Sequence, residues 1–229
     1  MNITLSVIWY KLFKKNYNCP YCYIGNTRLK KAINELGLEV KMEMKSFELE
    51  PEVSSIEATP MVNHYARKYG IPEFEAIYEL KEIDEIGRQE GLNYDYSHSK
   101  ITSSRNAHRL AKLALSKNDE KMFEDIVEGL SNAFLCEGKT LSDEEVLVEV
   151  GTSAGLDETE IREMLKSNMF QVEVQIDEED GKFNGVYAVP CYFIEKGEQT
   201  LAIPGALTTE GFINALKDLN TGDIENKLE

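Results

Sequence analysis

The spacing of hydrophobic residues changes twice along the chain and divides the sequence into three stretches. In the first stretch, residues 3–9 (ITLSVIW) are rich in β-branched and aromatic side chains, which is typical of a strand. Residues 20–36 place their apolar side chains at helical spacing, and Gly37 is suited to end that helix. Residues 39–49 alternate between apolar and charged side chains, which predicts a half-buried strand. The first stretch therefore predicts a strand, a helix and a second strand.

The middle stretch, residues 57–170, has apolar residues three and four positions apart and predicts a block of about five or six helices. Two of these helices have candidate N-terminal caps. Ser142 with Glu145, and Asp157 with Glu160, show the three-residue spacing in which a short polar side chain caps a helix. We therefore expect this stretch to be a block of helices.

The strand pattern returns in the last stretch of the chain. After an acidic segment at residues 172–180, residues 187–195 and 199–203 predict the two strands of a hairpin. Thr208 is placed to cap a final helix, and residues 221–229 form a polar tail. The complete order is β-α-β, then helices, then β-β-α. This order predicts an α/β unit into which a helical block is inserted.

The composition is that of a globular protein and excludes several kinds of partner. Of the 229 residues, 42% are hydrophobic and 29% are charged. No apolar run approaches the ~20 residues that span a bilayer. The formal net charge of −16 argues against nucleic acid and anionic membrane surfaces as partners, because both require a basic face. The N-terminal sequence lacks the basic start and the cleavage site of a secretory signal, so we expect a cytoplasmic protein.

Two cysteines three positions apart, Cys19 and Cys22, lie at the start of the first predicted helix. The first N–H groups of a helix are unpaired and its N-terminus carries partial positive charge, so a thiolate is favoured over a thiol there. Pro20 suits the first helical position because it has no N–H to leave unpaired. Cys22 lies about one turn farther on, within reach of a disulfide. This arrangement predicts that Cys19 attacks a disulfide and that Cys22 resolves the product.

Two other interpretations of the cysteine pair stay open. A tetrahedral zinc site needs four ligands, but Cys136 and Cys191 are isolated and the three histidines lack the spacing of a partner pair. Two inert buried thiols are the second alternative, although the pair lies at a helix start rather than on an apolar stripe. In a reducing compartment a CxxC is more often catalytic or metal-binding than structural. We therefore favour redox chemistry and expect no metal.

An ordered set of short segments resembles one known family. NCPYCYIG and SFEL occur near the start, ARKYG, EGLNY, SSRNAHRLAKLA and CEGKTLSDEEVL in the helical block, and GVYAVPCYFI and PGALTTEGFINAL near the end. The set resembles the DsbA-like thioredoxin-fold proteins, in the branch of FrnE and 2-hydroxychromene-2-carboxylate isomerase. The resemblance extends from about residue 18 to residue 219. It implies an enzyme that oxidises, reduces or isomerises disulfides.

The resemblance also implies a fold and a domain organisation. The fold is α/β, a thioredoxin-like fold with a large all-helical insertion. Residues 1–56 and 171–220 would form a discontinuous thioredoxin-like domain, residues 57–170 the helical insertion domain, and residues 221–229 a tail. This is the same organisation that the hydrophobic spacing predicts.

The resemblance assigns Val189-Pro190 to a cis-proline loop, which in this fold packs beside the CxxC and pairs its backbone with substrate. Only about 5–6% of X–Pro bonds are cis in folded proteins, so the sequence alone would not predict a cis bond here. Pro20 and Tyr21 lie between the two cysteines, and we expect Tyr21 to face the substrate cleft. These four residues are the candidate substrate-binding positions.

The isomerase relatives supply an alternative function, a glutathione-dependent isomerase of small aromatic compounds. Those relatives typically have serine where this chain has Cys19, so the presence of both cysteines favours a dithiol enzyme. Such an enzyme needs no cofactor beyond its own redox-active disulfide. Glutathione is a candidate co-substrate, because the CPYC sequence also occurs in glutaredoxins.

Two features depart from the family pattern, the approach to the Cys pair and Cys191, and three further residues carry separate expectations. Family members usually reach the Cys pair within a few residues of the first strand, so we expect residues 10–18 to form a lengthened basic loop. Cys191 directly follows the proline and His108 lies on a helix; both are candidate cleft-lining residues, with burial in the core as the alternative. Glu48 and Glu50 are expected to be surface charges.

These patterns predict a cytoplasmic thiol–disulfide oxidoreductase, and the resemblance implies that it is of the DsbA family and of the protein-disulfide reductase or isomerase type. Cys19 is the predicted nucleophile and Cys22 the resolving thiol. The expected partner is a disulfide-containing protein or a small thiol, and neither nucleic acid nor a membrane. The expected oligomeric state is a monomer or a homodimer.

Overall fold

A central four-stranded sheet, a separate two-stranded sheet and nine α-helices make up the part of the chain that the computed structural model describes, residues 8–53 and 55–221. The strands are β1 (Ile8–Lys15), β2 (Val40–Ser46), β3 (Thr59–Pro60), β4 (Lys100–Ile101), β5 (Cys191–Lys196) and β6 (Gln199–Pro204). The helices are α1 (Pro20–Leu36), α2 (Met61–Tyr69), α3 (Glu73–Gln89), α4 (Arg105–Leu115), α5 (Glu120–Leu135), α6 (Glu144–Ser153), α7 (Glu158–Lys166), α8 (Gln171–Phe183) and α9 (Thr209–Thr221). A short 3-10 turn, Tyr96–His98, precedes β4.

The strand order in the central sheet is β2-β1-β5-β6. β1 runs parallel to β2, with α1 as the crossover, and antiparallel to β5, which forms a hairpin with β6. β1 is therefore paired on both sides. Because Lys14 of β1 pairs with Cys191, the residues just before β5 lie beside the residues just after β1. This register places the segment before α1 next to the segment before β5.

The first strand extends farther along the chain than the sequence predicts. Residues 3–7 of the predicted strand lie outside the described residues, and the strand includes residues 10–15, which were expected to be a loop. The prediction of a lengthened basic loop over residues 10–18 was therefore wrong for most of its length. Its lysines suggested an exposed loop, but the backbone of this segment pairs with both β2 and β5. Only three residues separate β1 from Cys19.

The first helix occupies the predicted residues, Pro20–Leu36, and ends at Gly37, whose φ of 61° is the left-handed conformation that favours glycine. Its buried face includes Ile24 and Leu29. Gly25 lies against β5 so closely that an added Cβ would come within 2.2 Å of the Tyr192 hydroxyl. The absence of a side chain at Gly25 therefore leaves room for the Tyr192 hydroxyl beside α1.

Six helices, α2 to α7, confirm the predicted helical block, and one of its two predicted caps is confirmed. Asp157 accepts a hydrogen bond from the Glu160 N–H at 3.1 Å, as predicted. The prediction of Ser142 as a cap was wrong, because α6 begins one residue later and Asp143 accepts from the Glu145 N–H at 2.9 Å. The division of the chain into domains at residues 57 and 171 stays a prediction. No helix in the described residues is long and apolar enough to cross a membrane.

The sequence did not predict α8, which covers the whole acidic segment. Its buried face consists of Val174, Asp177 and Gly181, so it lacks the apolar stripe by which amphipathic helices are recognised. Asp177 is 2% exposed, and its carboxylate accepts from the Ser46 N–H at 2.8 Å and pairs with Lys112 at 2.5 Å. A buried carboxylate therefore ties α8 to β2 and to α4.

Replacing this carboxylate tests whether the ion pair holds α8 in place. We expect Asp177→Asn to lower the free energy of unfolding by about 3 kcal/mol, because the Lys112 ammonium would stay buried without its charged partner. Urea denaturation measures the change. Glu179→Gln, at an exposed position of the same helix, is the control and should alter stability by less than about 0.5 kcal/mol. An Asp177→Asn protein as stable as the wild type would show that other contacts hold α8.

Candidate active site

The two cysteines lie at the start of α1, at different depths. Cys19 is the N-cap residue and is 5% exposed, whereas Cys22, in the first turn, is fully buried. Both are thiols in this structure, and the Cys22 N–H donates to the Cys19 carbonyl at 3.1 Å. The Cys19 thiol therefore lies at the positive end of the helix and is the more accessible of the two.

A loop from the far end of the chain lies beside Cys19. The Val189-Pro190 peptide bond is cis, and the Cys19 thiol donates to the Val189 carbonyl, with an S···O distance of 3.6 Å. The Pro190 carbonyl accepts from the Gly205 N–H at 2.8 Å, which ties this loop to the residue after β6. Residues 170 positions apart in sequence are thus in direct contact at the site.

A cavity of about 260 Å³ opens next to Cys19. Its wall includes Pro20 and Tyr21 from the start of α1 and Val189 from the loop before β5, so three of the four candidate substrate-binding residues line it. Pro190 is buried and does not line the cavity. The rest of the wall comes mainly from the helical block and is rich in apolar and aromatic side chains. The tyrosines in the wall are Tyr21, Tyr65, Tyr69 and Tyr96.

Three charged or titratable side chains line one part of this cavity, and the sequence analysis did not predict that they form a cluster there. Glu50 lies between His64 and Lys68 of α2; it is 2.6 Å from His64 Nε2 and also binds Lys68 Nζ. Burial alone would raise the pKa of Glu50, but the hydrogen bonds from His64 and Lys68 outweigh burial and lower the pKa to about 2. Glu50 is therefore a carboxylate that holds both side chains in the wall.

The prediction that Glu48 and Glu50 are surface charges was wrong. Glu48 is 6% exposed and pairs with Arg105 at 2.7 Å. Glu50 is only partly exposed and lines the cavity. The spacing of His64 and Lys68, four apart on a helix, was the only local signal of the cluster. Nothing in the sequence indicates that Glu50 lies between them.

The loop before Cys19 is held by the helical block. The Asn18 N–H donates to the Asn16 side chain at 2.9 Å, and the Asn18 side-chain amide donates to the Thr102 carbonyl at 2.9 Å. The Cys19 N–H donates to the Asn16 carbonyl at 3.2 Å. These bonds hold the backbone of the residues that lead into α1.

His108 and Cys191, the two candidate cleft-lining residues, lie outside the cavity wall. His108 is fully buried, and the centroid of its ring is 4.7 Å from that of Tyr17. Cys191 is 9% exposed and belongs to a small apolar cluster with Phe47 and Val186. Both side chains pack in the interior, which was the alternative expectation for each. Among the described residues, no group of three or more His, Cys, Asp or Glu side chains is placed to hold a metal ion.

Comparison with known proteins agrees with this geometry. The family model of the DSBA-like thioredoxin domain matches residues 15–217. A probable DsbA oxidoreductase from Streptomyces coelicolor is 26% identical, with a TM-score of 0.83; the match covers 97% of this chain and 93% of that one. No match was found among the curated proteins.

Two more distant structures share the fold. A 2-hydroxychromene-2-carboxylate isomerase is 16% identical with a TM-score of 0.64, over 96% of this chain and 100% of that one. The cytosolic disulfide reductase DsbM from Pseudomonas aeruginosa is 16% identical with a TM-score of 0.56, over 95% of this chain and 96% of that one. DsbM has also been solved with GSH. The predicted fold, a thioredoxin-like fold with a helical insertion, is confirmed, and the chain belongs to the family of the DSBA-like thioredoxin domain.

Proposed function

We propose that this protein is a thiol–disulfide oxidoreductase in which Cys19 is the attacking thiolate and Cys22 the resolving thiol. The observation that carries the proposal is the position of Cys19 at the N-terminus of α1, beside the Val189 carbonyl and in the wall of the cavity. Unpaired N–H groups at a helix start stabilise a thiolate, which is the reactive form of cysteine.

The reaction proceeds by two thiol–disulfide exchanges. The Cys19 thiolate attacks one sulfur of the substrate disulfide, forms a mixed disulfide and releases the other substrate sulfur as a thiolate. The Cys22 thiolate then attacks the Cys19 sulfur and releases the second substrate thiolate. Two electrons pass from the dithiol to the substrate, and the two protons lost by the cysteines balance those gained by the substrate thiolates. The protein is left with a Cys19–Cys22 disulfide.

The different depths of the two cysteines support these roles. Cys19 lines the cavity, so a substrate disulfide placed there meets this sulfur first. Cys22 is fully buried and one turn farther along the helix, so it is shielded from external disulfides but close to a mixed disulfide on Cys19. The Val189-Pro190 loop lies against Cys19, where its backbone can pair with an extended substrate.

Glutathione is the proposed co-substrate that returns the protein to its dithiol form. Two glutathione molecules would reduce the Cys19–Cys22 disulfide and leave as glutathione disulfide. The cavity beside Cys19 offers polar groups, His64 and Lys68, toward the carboxylates of such a peptide. The structure of DsbM with GSH is consistent with this choice. We propose reduction or isomerisation of disulfides as the net activity, which fits a cytoplasmic location.

Single replacements of the two cysteines should separate their roles. We expect Cys19→Ser to abolish insulin reduction, whereas Cys22→Ser should lose turnover but accumulate a mixed disulfide on Cys19, detected by intact mass. Cys136→Ser is the control, since Cys136 caps the far end of α5 and does not line the cavity. Full insulin reduction by Cys19→Ser would exclude the proposal. Glutathione-dependent turnover of a small aromatic substrate that survives Cys22→Ser would instead favour the isomerase.

The charge in the cavity wall should determine which small disulfides react fastest. Glutathione disulfide is negatively charged at neutral pH and cystamine is positively charged. Removing the Glu50 carboxylate by Glu50→Gln should raise the ratio of their reaction rates about threefold in favour of glutathione disulfide, and Lys68→Gln should lower it by a similar factor. Oxidation of the reduced protein by each disulfide, followed in a single turnover, gives the ratio.

The control for this pair is Glu75→Gln, at an exposed position in the first turn of α3. It makes the same chemical change outside the cavity and should leave the ratio within experimental error of the wild type. If Glu50→Gln and Lys68→Gln also leave the ratio unchanged, the substrate does not occupy this cavity.

A further inference from the structure

Tyr94 lies behind the cysteine pair and contacts it through one hydrogen bond. The residue belongs to the helical block, between α3 and the 3-10 turn, and is 2% exposed. Its hydroxyl donates to the Pro20 carbonyl at 2.7 Å. Pro20 is the residue between Cys19 and Tyr21, so a side chain of the helical block bonds directly to the backbone of the CPYC segment.

The position of Tyr94 is determined by packing and by the backbone on both sides of it. Its ring lies on Gly87 of α3, where an added Cβ would be 2.4 Å from Tyr94 Cδ2. Arg88 donates to the Tyr94 carbonyl at 3.2 Å. The next residue, Asp95, donates its N–H to the Leu135 carbonyl at 2.9 Å. The hydroxyl is therefore held at a fixed place relative to Pro20.

The Tyr94 hydroxyl is the donor in its hydrogen bond to Pro20. Burial, together with the nearby thiols of Cys136, Cys19 and Cys22, raises the pKa of Tyr94 far above its ordinary value. The phenol therefore keeps its proton. A carbonyl oxygen only accepts, so the proton of the hydroxyl points toward Pro20.

The carbonyl that Tyr94 binds belongs to the same peptide group as the Tyr21 N–H. Tyr21 is the second residue of α1, and its N–H is one of the groups that have no partner within the helix. An N-cap side chain accepts hydrogen bonds from the N–H groups at the second or third helical position. A hydrogen bond to the carbonyl of a peptide group polarises that group and makes its N–H a better donor.

We propose that Tyr94 is a positioning residue that increases the thiolate fraction of Cys19 by polarising the Pro20–Tyr21 peptide group. The inference rests on the proposed function for the use that is made of the thiolate. The effect of Tyr94 on the thiol itself exists whether or not the cysteine pair exchanges disulfides. In this structure the Cys19 thiol donates to the Val189 carbonyl. On ionisation it loses that bond and becomes an acceptor, which the helix N–H groups can satisfy.

Other ionisable groups face Cys19, and they are the same in the wild type and in the variant compared below. They lie on α1, α2, β5, the loop after β2 and the cavity wall. They are Cys22, Tyr192, Glu50, His64, Lys68 and the four cavity tyrosines. Their titration therefore affects both proteins alike and cancels in the comparison.

The test is the rate of iodoacetamide alkylation at Cys19 as a function of pH, read from the peptide mass spectrum of the reduced protein. Tyr94→Phe keeps the ring and removes only the hydroxyl. We expect alkylation of Cys19 to be roughly threefold slower than in the wild type on the acidic limb of the profile, and equal on the alkaline plateau. Tyr23→Phe, which removes the hydroxyl of the ring stacked on Tyr94, is the control and should leave the profile unchanged.

Two results would overturn the inference. A profile for Tyr94→Phe that superimposes on the wild type, in a protein whose thermal unfolding is cooperative, would show that the hydroxyl has a structural role alone. Slower alkylation by the same factor at every pH, plateau included, would show a change in access to the thiol. Because alkylation requires only a thiol, failure of the wild type to reduce insulin would overturn the proposed function and leave this result standing.

Discussion

The start of α1 is the constraint on which the site depends. Only three residues connect β1 to Cys19, so the position of the strand determines where the helix begins. The pairing of Lys14 with Cys191 brings the Val189-Pro190 loop to the same place. Gly25 leaves room for the Tyr192 hydroxyl, so α1 and the side chain of β5 pack closely at this point. One short connection thus combines a thiol, a helix N-terminus and a backbone carbonyl from the far end of the chain.

The helical block contributes to the site as well as covering it. It supplies most of the cavity wall, including His64 and Lys68, and its Thr102 carbonyl holds the residue before Cys19. Glu90 at the end of α3 accepts from Arg28 of α1 at 2.6 Å, which fastens the block to the helix that carries the cysteines. Changes in the block are therefore expected to alter the chemistry of the thiols.

Local patterns allowed the sequence to predict the helix start and the glycine at its end, because a proline at the first position and a glycine after the last act within a few residues. The limits of β1 could not be predicted in this way, since its pairing on both sides depends on strands distant in sequence. α8 was missed because a carboxylate, Asp177, occupies its buried face. The contact of Tyr94 with Pro20 has no local signal in the sequence, because it depends on how the helical block packs against α1.

The most direct test of the central claim is the redox equilibrium of the cysteine pair. The wild-type protein would be equilibrated in glutathione buffers of graded ratio, quenched with acid and alkylated, and its cysteine pairs identified by mass spectrometry. The account predicts one reversible disulfide, Cys19–Cys22, whose fraction follows the glutathione ratio. A Cys19 that remains a thiol at every ratio, or that never pairs with Cys22, would contradict it.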